Sequence, residues 1–226
     1  MWMEGYTSGV YRMWFQHMDM NRIPFYQYNT IIVGTGAAGL NAAVTLHKLG
    51  QKNIALITEG RYMGTSRNTG SDKQTYYKMT QCGSEPDSVR KMAKTLFEGG
   101  CVDGDIAMAE AAGSLRAFYH LVDIGVPFPF NKSGEYVGYK TDHDPLKRGI
   151  SAGPLTSKYM TECLERQAEE RGIPFFDGYQ AVRLLTEEKD GEKRAAGIIA
   201  LNKQKAASPD ERYAVFSAVN IIWATG

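Results

Sequence analysis

Three glycines, Gly34, Gly36 and Gly39, stand in the order G-x-G-x-x-G within "TIIVGTGAAGLNAAVTLHKLGQKNIALITEG". The pattern alone is common; its flanks are what restrict the fold. Thr30 to Val33 form a mostly apolar, β-branched run that suits a buried parallel strand. Ala43, Leu46 and Leu49 then recur at helical spacing, and Gly50 sits where a left-handed residue would end a helix. "NIALITE" reads as a second buried strand. The order strand, tight turn, helix, strand is a βαβ unit and predicts an α/β fold around a mostly parallel sheet.

Each glycine has a physical reason in such a unit. Gly34 permits the tight turn, Gly36 lets a pyrophosphate approach the backbone, and Gly39 lets the helix pack closely on the strand. Thr35, Ala37 and Ala38 complete the turn, and the helix N-terminus offers N–H groups and a partial positive charge to a diphosphate. Glu59 stands 20 residues beyond Gly39 at the end of the second strand, followed by Gly60. Its carboxylate can accept hydrogen bonds from ribose hydroxyls, which argues against a 2′-phosphate and so against NADP.

The chain's length fits one large domain, or one domain plus an incomplete second. At 226 residues, with 43% hydrophobic and 23% charged side chains, it can bury a sizeable core. The 26 basic and 25 acidic side chains nearly cancel, so no strong field points to nucleic acid or an anionic membrane, and a small ligand is favoured. Cys82, Cys101 and Cys163 are widely spaced without a zinc-binding pattern, so no metal is expected and a reduced, cytoplasmic chain is the simplest reading. No apolar run approaches the roughly 18 residues of a membrane span. Residues 1 to 28, rich in Met and aromatics without periodicity, read as an arm lying on the domain surface.

Beyond Glu59, "GRYMGTSRNTGSDKQTYYKMTQCGSEP" is a polar loop too long for a mere connector. Helices are expected over 87–98 behind a Ser84 cap, over 105–124 with Ile106, Ala109, Leu115, Phe118 and Val122 as the apolar stripe, and from about 155 to 170. "QAVRLLTEE", "AAGIIALN" and "RYAVFSA" then read as short strands, the first two joined by a turn at Asp190 and Gly191, which suggests an antiparallel meander. The chain closes on "NIIWATG", an apolar run into a glycine turn, and an expectation of truncation follows.

The fuller run from Gly34, completed by Ala43, Leu46 and Gly50, resembles the fingerprint of flavoproteins that place FAD on this unit. In that superfamily a meander leads to a last strand that returns to the parallel sheet, and its Ala-Thr-Gly turn, here Ala224, Thr225 and Gly226, approaches the flavin diphosphate. From 29 to 226 the chain resembles the fumarate reductase, succinate dehydrogenase and L-aspartate oxidase flavoprotein group, through "GTSRNTG", "RGISAGPLTSKYMTECLERQ" and "YQAVRLL". The resemblance implies a Rossmann-like FAD-binding domain over 29–226, cut before a capping domain.

It also implies site residues. Thr65, Ser66, Asn68 and Thr69 would hydrogen-bond the flavin, and Ala181 would meet adenine through its backbone. Asn68 stands where membrane-bound members carry a His covalently attached to the flavin, so noncovalent FAD is expected. Arg148, Thr156 and Ser157 match a family stretch loosely, with Pro154 near the family's Asp. Lys73 and His143 are read as loop residues. The implied activity is hydride transfer between flavin and a small carboxylate, with an electron-transfer partner; catalytic residues are not among those present. The alternatives are a catalytically incomplete flavin-binding fragment or subunit, and an NAD-dependent dehydrogenase.

Overall fold

The computed structural model describes residues 23–72, 74–82, 86–142, 144–208 and 211–226. Lys73, Ser84, His143 and residues 1–22 of the expected arm lie outside them. The chain divides into two compact units, Met1–Gly64 with Glu169–Gly226, and Thr65–Ala168.

The first unit is the sheet. It contains β1 (Phe25–Val33), α1 (Ala37–Lys48), β2 (Ile54–Thr58), β5 (Phe175–Asp177), β6 (Tyr179–Lys189), β7 (Glu192–Asn202) and β8 (Tyr213–Trp223), with strand order β5-β2-β1-β8-β7-β6. β1 pairs in parallel with β2 and β8, and β2 with β5. All five residues of β2 are buried, as an inner parallel strand requires. α1 lies against β1 and β2, buries Leu40, Ala43 and Val44, and ends at Gly50 with φ +101°, the left-handed residue expected there.

β6, β7 and β8 form the antiparallel meander. Asp190 and Gly191 both have positive φ, 56° and 77°, the two-residue turn whose twist matches the strands it joins. Two expectations change. Residues 25–28, assigned to the arm, are the first half of β1, paired from Phe25↔Val215 onward. The strands are long rather than short, and "RYAVFSA" and "NIIW" are one strand, β8. Exposed Val219 and Asn220 interrupt the apolar pattern, but pairing with β1 on both sides of them holds the strand straight through.

One sheet face is buried by Ile31, Val33, Ile57, Ile198, Ala200, Ala214 and Phe216. Tyr26 stacks on Phe216 with centroids 5.0 Å apart, and Phe176 meets both rings edge-on at 4.7 and 4.8 Å. Such pairs add about 0.5–1.5 kcal/mol each beyond their burial.

The second unit carries α2 (Thr65–Asn68), the two-residue strands β3 (Tyr76–Tyr77) and β4 (Gly149–Ile150), α3 (Val89–Glu98), α4 (Gly104–Asp123) and most of α5 (Thr156–Glu170). α3 is capped by Ser88, whose hydroxyl accepts from Lys91 N at 3.2 Å. Asp103 caps α4 in the same way. The apolar stripe of α4 is phased differently from the expectation. Ala107, Ala111, Ser114, Phe118 and Leu121 face inward, while Ile106 and Ala109 are exposed. Small residues carry this interface, with Ala107 and Ala111 meeting Met92 and Ala93 of α3, so large apolar side chains were the wrong markers of the buried face.

Candidate functional site

In the first unit the glycine turn and the chain's last residues come together. Because β8 runs parallel to β1, with Val33 opposite Trp223, both strands deliver their following residues to the same sheet end. Gly34 N donates to Ile57 O at 2.8 Å, and Ala224 N donates to Val33 O at 2.8 Å. Gly34 has φ +110°, and a Cβ there would lie 2.4 Å from the Ala224 carbonyl oxygen, so only glycine fits. A Cβ on Gly39 would lie 2.0 Å from Gly34 O, the close helix-on-strand approach the motif demands. The turn therefore has a local reason at both positions.

Gly36 is the N-cap of α1; as a glycine it supplies no side-chain cap, and no acidic residue stands in the first turn. First-turn amides have no acceptor within their own helix, and that end carries partial positive charge. The Thr35 hydroxyl is buried and donates to Thr58 Oγ1 at 3.0 Å. Contact with a ligand is left to its backbone. The side chain ties the turn to β2 instead.

Glu59 follows β2 directly, and Lys203, in the 3-10 turn Lys203–Lys205 after β7, donates to its Oε1 at 2.8 Å. Gly60 N reaches Thr58 Oγ1 at 3.4 Å. Ala181 sits on β6, the outer strand, beside a register shift between Ala181 and Arg183. Its side chain packs on the sheet core, which leaves the backbone as its polar contribution.

In the second unit, the two stretches that pointed to the group lie against each other. Thr161 Oγ1 donates to Ser66 O at 3.2 Å, Arg67 pairs with Glu165, and Ser71 N donates to Pro154 O at 3.1 Å. Gln74 and Ser157 exchange two bonds, Nε2 to Oγ at 2.7 Å and N to Oε1 at 3.0 Å. α5 thus holds the α2 segment, while Thr65, Asn68 and Thr69 stay exposed. Arg67, Gln74 and Glu165 were not singled out by sequence; their long-range pairing leaves no local pattern.

Arg148 and Thr156 take structural roles. Thr156 Oγ1 accepts from Ala152 N at 2.9 Å and donates to Gly153 O at 2.7 Å, closing the turn into α5. The Arg148 side chain is 0% exposed, gripped by Asp87 (2.7 and 2.8 Å), Asp144, Tyr77 and Thr95. Burial disfavours its charge, yet bonds to Asp87 and Tyr77 outweigh this and hold its pKa above the ordinary value. Burial pushes the Tyr77 hydroxyl up to about 12. Among the described residues no group of three or more His, Cys, Asp or Glu could hold a metal, and no helix is long and apolar enough to cross a membrane.

Residues 29–226 match the family model described as FAD binding domain. The chain belongs to this family.

The chain is 29% identical to L-aspartate oxidase of Pseudomonas aeruginosa over 195 residues, covering 79% of this chain and 34% of that protein. It is 29% identical to the 8-methylmenaquinol:fumarate reductase flavoprotein subunit of Wolinella succinogenes over 178 residues, covering 77% and 28%. Among solved structures, an E. coli quinol fumarate reductase superposes with TM-score 0.74 at 20% identity, over 90% of this chain and 33% of that one. Sdh1 of Mycobacterium smegmatis gives 0.76 at 18%, over 90% and 34%. The chain spans about a third of the length of the curated relatives it matches. The resemblance to this flavoprotein group, the α/β fold and FAD as the cofactor all stand.

The residues present fit FAD. Gly34 and Gly39 leave no room for a Cβ, Gly36 brings no side chain of its own to the α1 N-terminus, and Glu59 keeps Oε2 without a partner among the described residues. The family match runs through the meander and β8, which a nicotinamide reading left unexplained.

Proposed function

We propose that this chain is the flavin-binding part of an FAD-dependent oxidoreductase that transfers hydride between the flavin and a small carboxylate. The observation carrying this reading is the approach of Ala224 to Gly34, which sets the α1 N-terminus and the Ala224–Gly226 turn at one sheet end. Gly34, Thr35, Gly36, Ala37, Ala38 and Gly39 hold the diphosphate with backbone N–H groups, and Ala224, Thr225 and Gly226 border it. Glu59 accepts from the ribose, with Gly60 beside it, and the Ala181 backbone meets adenine. Thr65, Ser66, Asn68 and Thr69 hydrogen-bond the isoalloxazine region. Asn68 has no imidazole nitrogen, so the attachment is noncovalent.

When bound, FAD supplies a two-electron acceptor or donor for hydride. The relatives' names carry aspartate, fumarate and succinate, all small carboxylates, and one names a quinol as electron source, which supports a small carboxylate substrate and an electron-transfer partner. Three free cysteines support a reducing, cytoplasmic setting. The test is a dye-coupled assay of the FAD-loaded gene product containing this chain, with fumarate, succinate and aspartate. Turnover with one of them is expected; bound FAD without turnover on any of them defeats the reading. That second outcome supports a flavin-binding subunit inactive alone.

A further inference from the structure

Among the described residues the Glu59 carboxylate is held from one side. Lys203 Nζ donates to Oε1, and Oε2 has no partner among the described residues. Lys203 itself rises from a fixed turn. Its N–H donates to Gly178 O at 2.8 Å, and Asn202 Oδ1 caps the turn by accepting from Gln204 N at 3.1 Å. Asn202 Nδ2 also donates to Tyr179 Oη at 3.1 Å, binding the turn to the start of β6. Two segments 144 residues apart in sequence thus meet at one carboxylate.

We propose that Lys203 is a positioning residue for the adenosine end of FAD, acting through Glu59. This inference rests on the assignment of Glu59 to the ribose. A carboxylate offers about four lone-pair sites; Lys203 takes one, and a ribose diol needs two. The ion pair fixes the Glu59 rotamer before the cofactor arrives, so less side-chain entropy is lost on binding. The ammonium also offsets a negative charge that would otherwise repel the diphosphate. Both side chains are over two-fifths exposed, so solvent screening keeps the effect modest.

The experiment is a calorimetric FAD titration of the whole chain and of Lys203→Met, Lys203→Arg, Glu59→Ala and the Glu59→Ala/Lys203→Met double variant. Lys203→Met should raise the Kd about two- to fivefold, and Lys203→Arg should restore it to within about twofold. In the Glu59→Ala background, Lys203→Met should add nothing, because its effect passes through Glu59. The melting temperature without FAD should not change. Unchanged affinity in Lys203→Met, or an equal loss with and without Glu59, overturns the inference. If Glu59→Ala weakens FAD while Lys203→Met does not, only the role of Lys203 falls; if Glu59→Ala binds FAD as tightly as the unmodified chain, the ribose assignment falls with it.

Discussion

The Ala224 carbonyl oxygen stands 2.4 Å from where a Cβ on Gly34 would be, at a residue whose φ is +110°. Any side chain at Gly34 therefore meets backbone that β8 cannot withdraw without breaking the Ala224 N to Val33 O bond. Gly34→Ala is expected to cost about 2–5 kcal/mol from backbone strain and overpacking together. Urea denaturation should show the loss, and FAD titration under native conditions should show no binding.

Asn68 is exposed at the end of α2, and it has no group able to bond covalently to a flavin carbon as an imidazole does. Acid precipitation of the FAD-loaded chain should leave all flavin in the supernatant. Flavin absorbance in the washed pellet would contradict this.

The Arg148 clamp makes the second unit sensitive to acid. Burial pushes the Asp87 carboxyl up, but hydrogen bonds from Arg148, Ser88 and Thr80 together outweigh it and hold its pKa below the ordinary value. With the folded value below the unfolded one, Asp87's contribution is complete above about pH 4 and is lost as pH falls through the folded value. Arg148→Met leaves Asp87 and Asp144 buried without their cation and should cost about 3–5 kcal/mol at pH 7. Urea midpoints across pH should show the variant's deficit shrinking in acid, where the stranded Asp87 carboxylate takes up a proton.

Lys78 is 2% exposed, lies over the Phe118 ring at 4.8 Å and has one long bond, to Met79 O at 3.4 Å. Burial drives its pKa down, opposed by nearby Cys82. Its charge therefore works against folding at neutral pH, and that cost fades as pH rises through the lowered folded value. Lys78→Met should raise the melting temperature at pH 7, on the order of 2 °C, and the gain should vanish at high pH. A lower melting temperature would show the cation–π contact to be the larger effect.

The βαβ unit was legible because Gly34, Gly39 and Gly50 each answer a local backbone demand that sequence spacing expresses directly. The hairpin at Asp190 and Gly191 was legible for the same reason. β8 was not read as one strand, because its continuity across Val219 and Asn220 comes from β1, more than 180 residues earlier. The face of α4 was missed because Ala107 and Ala111 carry the packing. Lys203 escaped attention for a related cause: its partner Glu59 is distant in sequence, and an exposed lysine after a strand carries no pattern of its own. Sequence expressed the backbone's needs at the site better than the side-chain pairs that brace it.

The central claim is that the turn closed by Gly34 and Ala224 binds FAD. Its most direct test is a titration of the flavin-free chain with FAD, followed by flavin fluorescence and by thermal shift. Saturable binding of one FAD per chain, with a raised melting temperature that NADH does not reproduce, is the predicted result. No fluorescence change and no thermal shift with FAD, or protection by NADH alone, would contradict it.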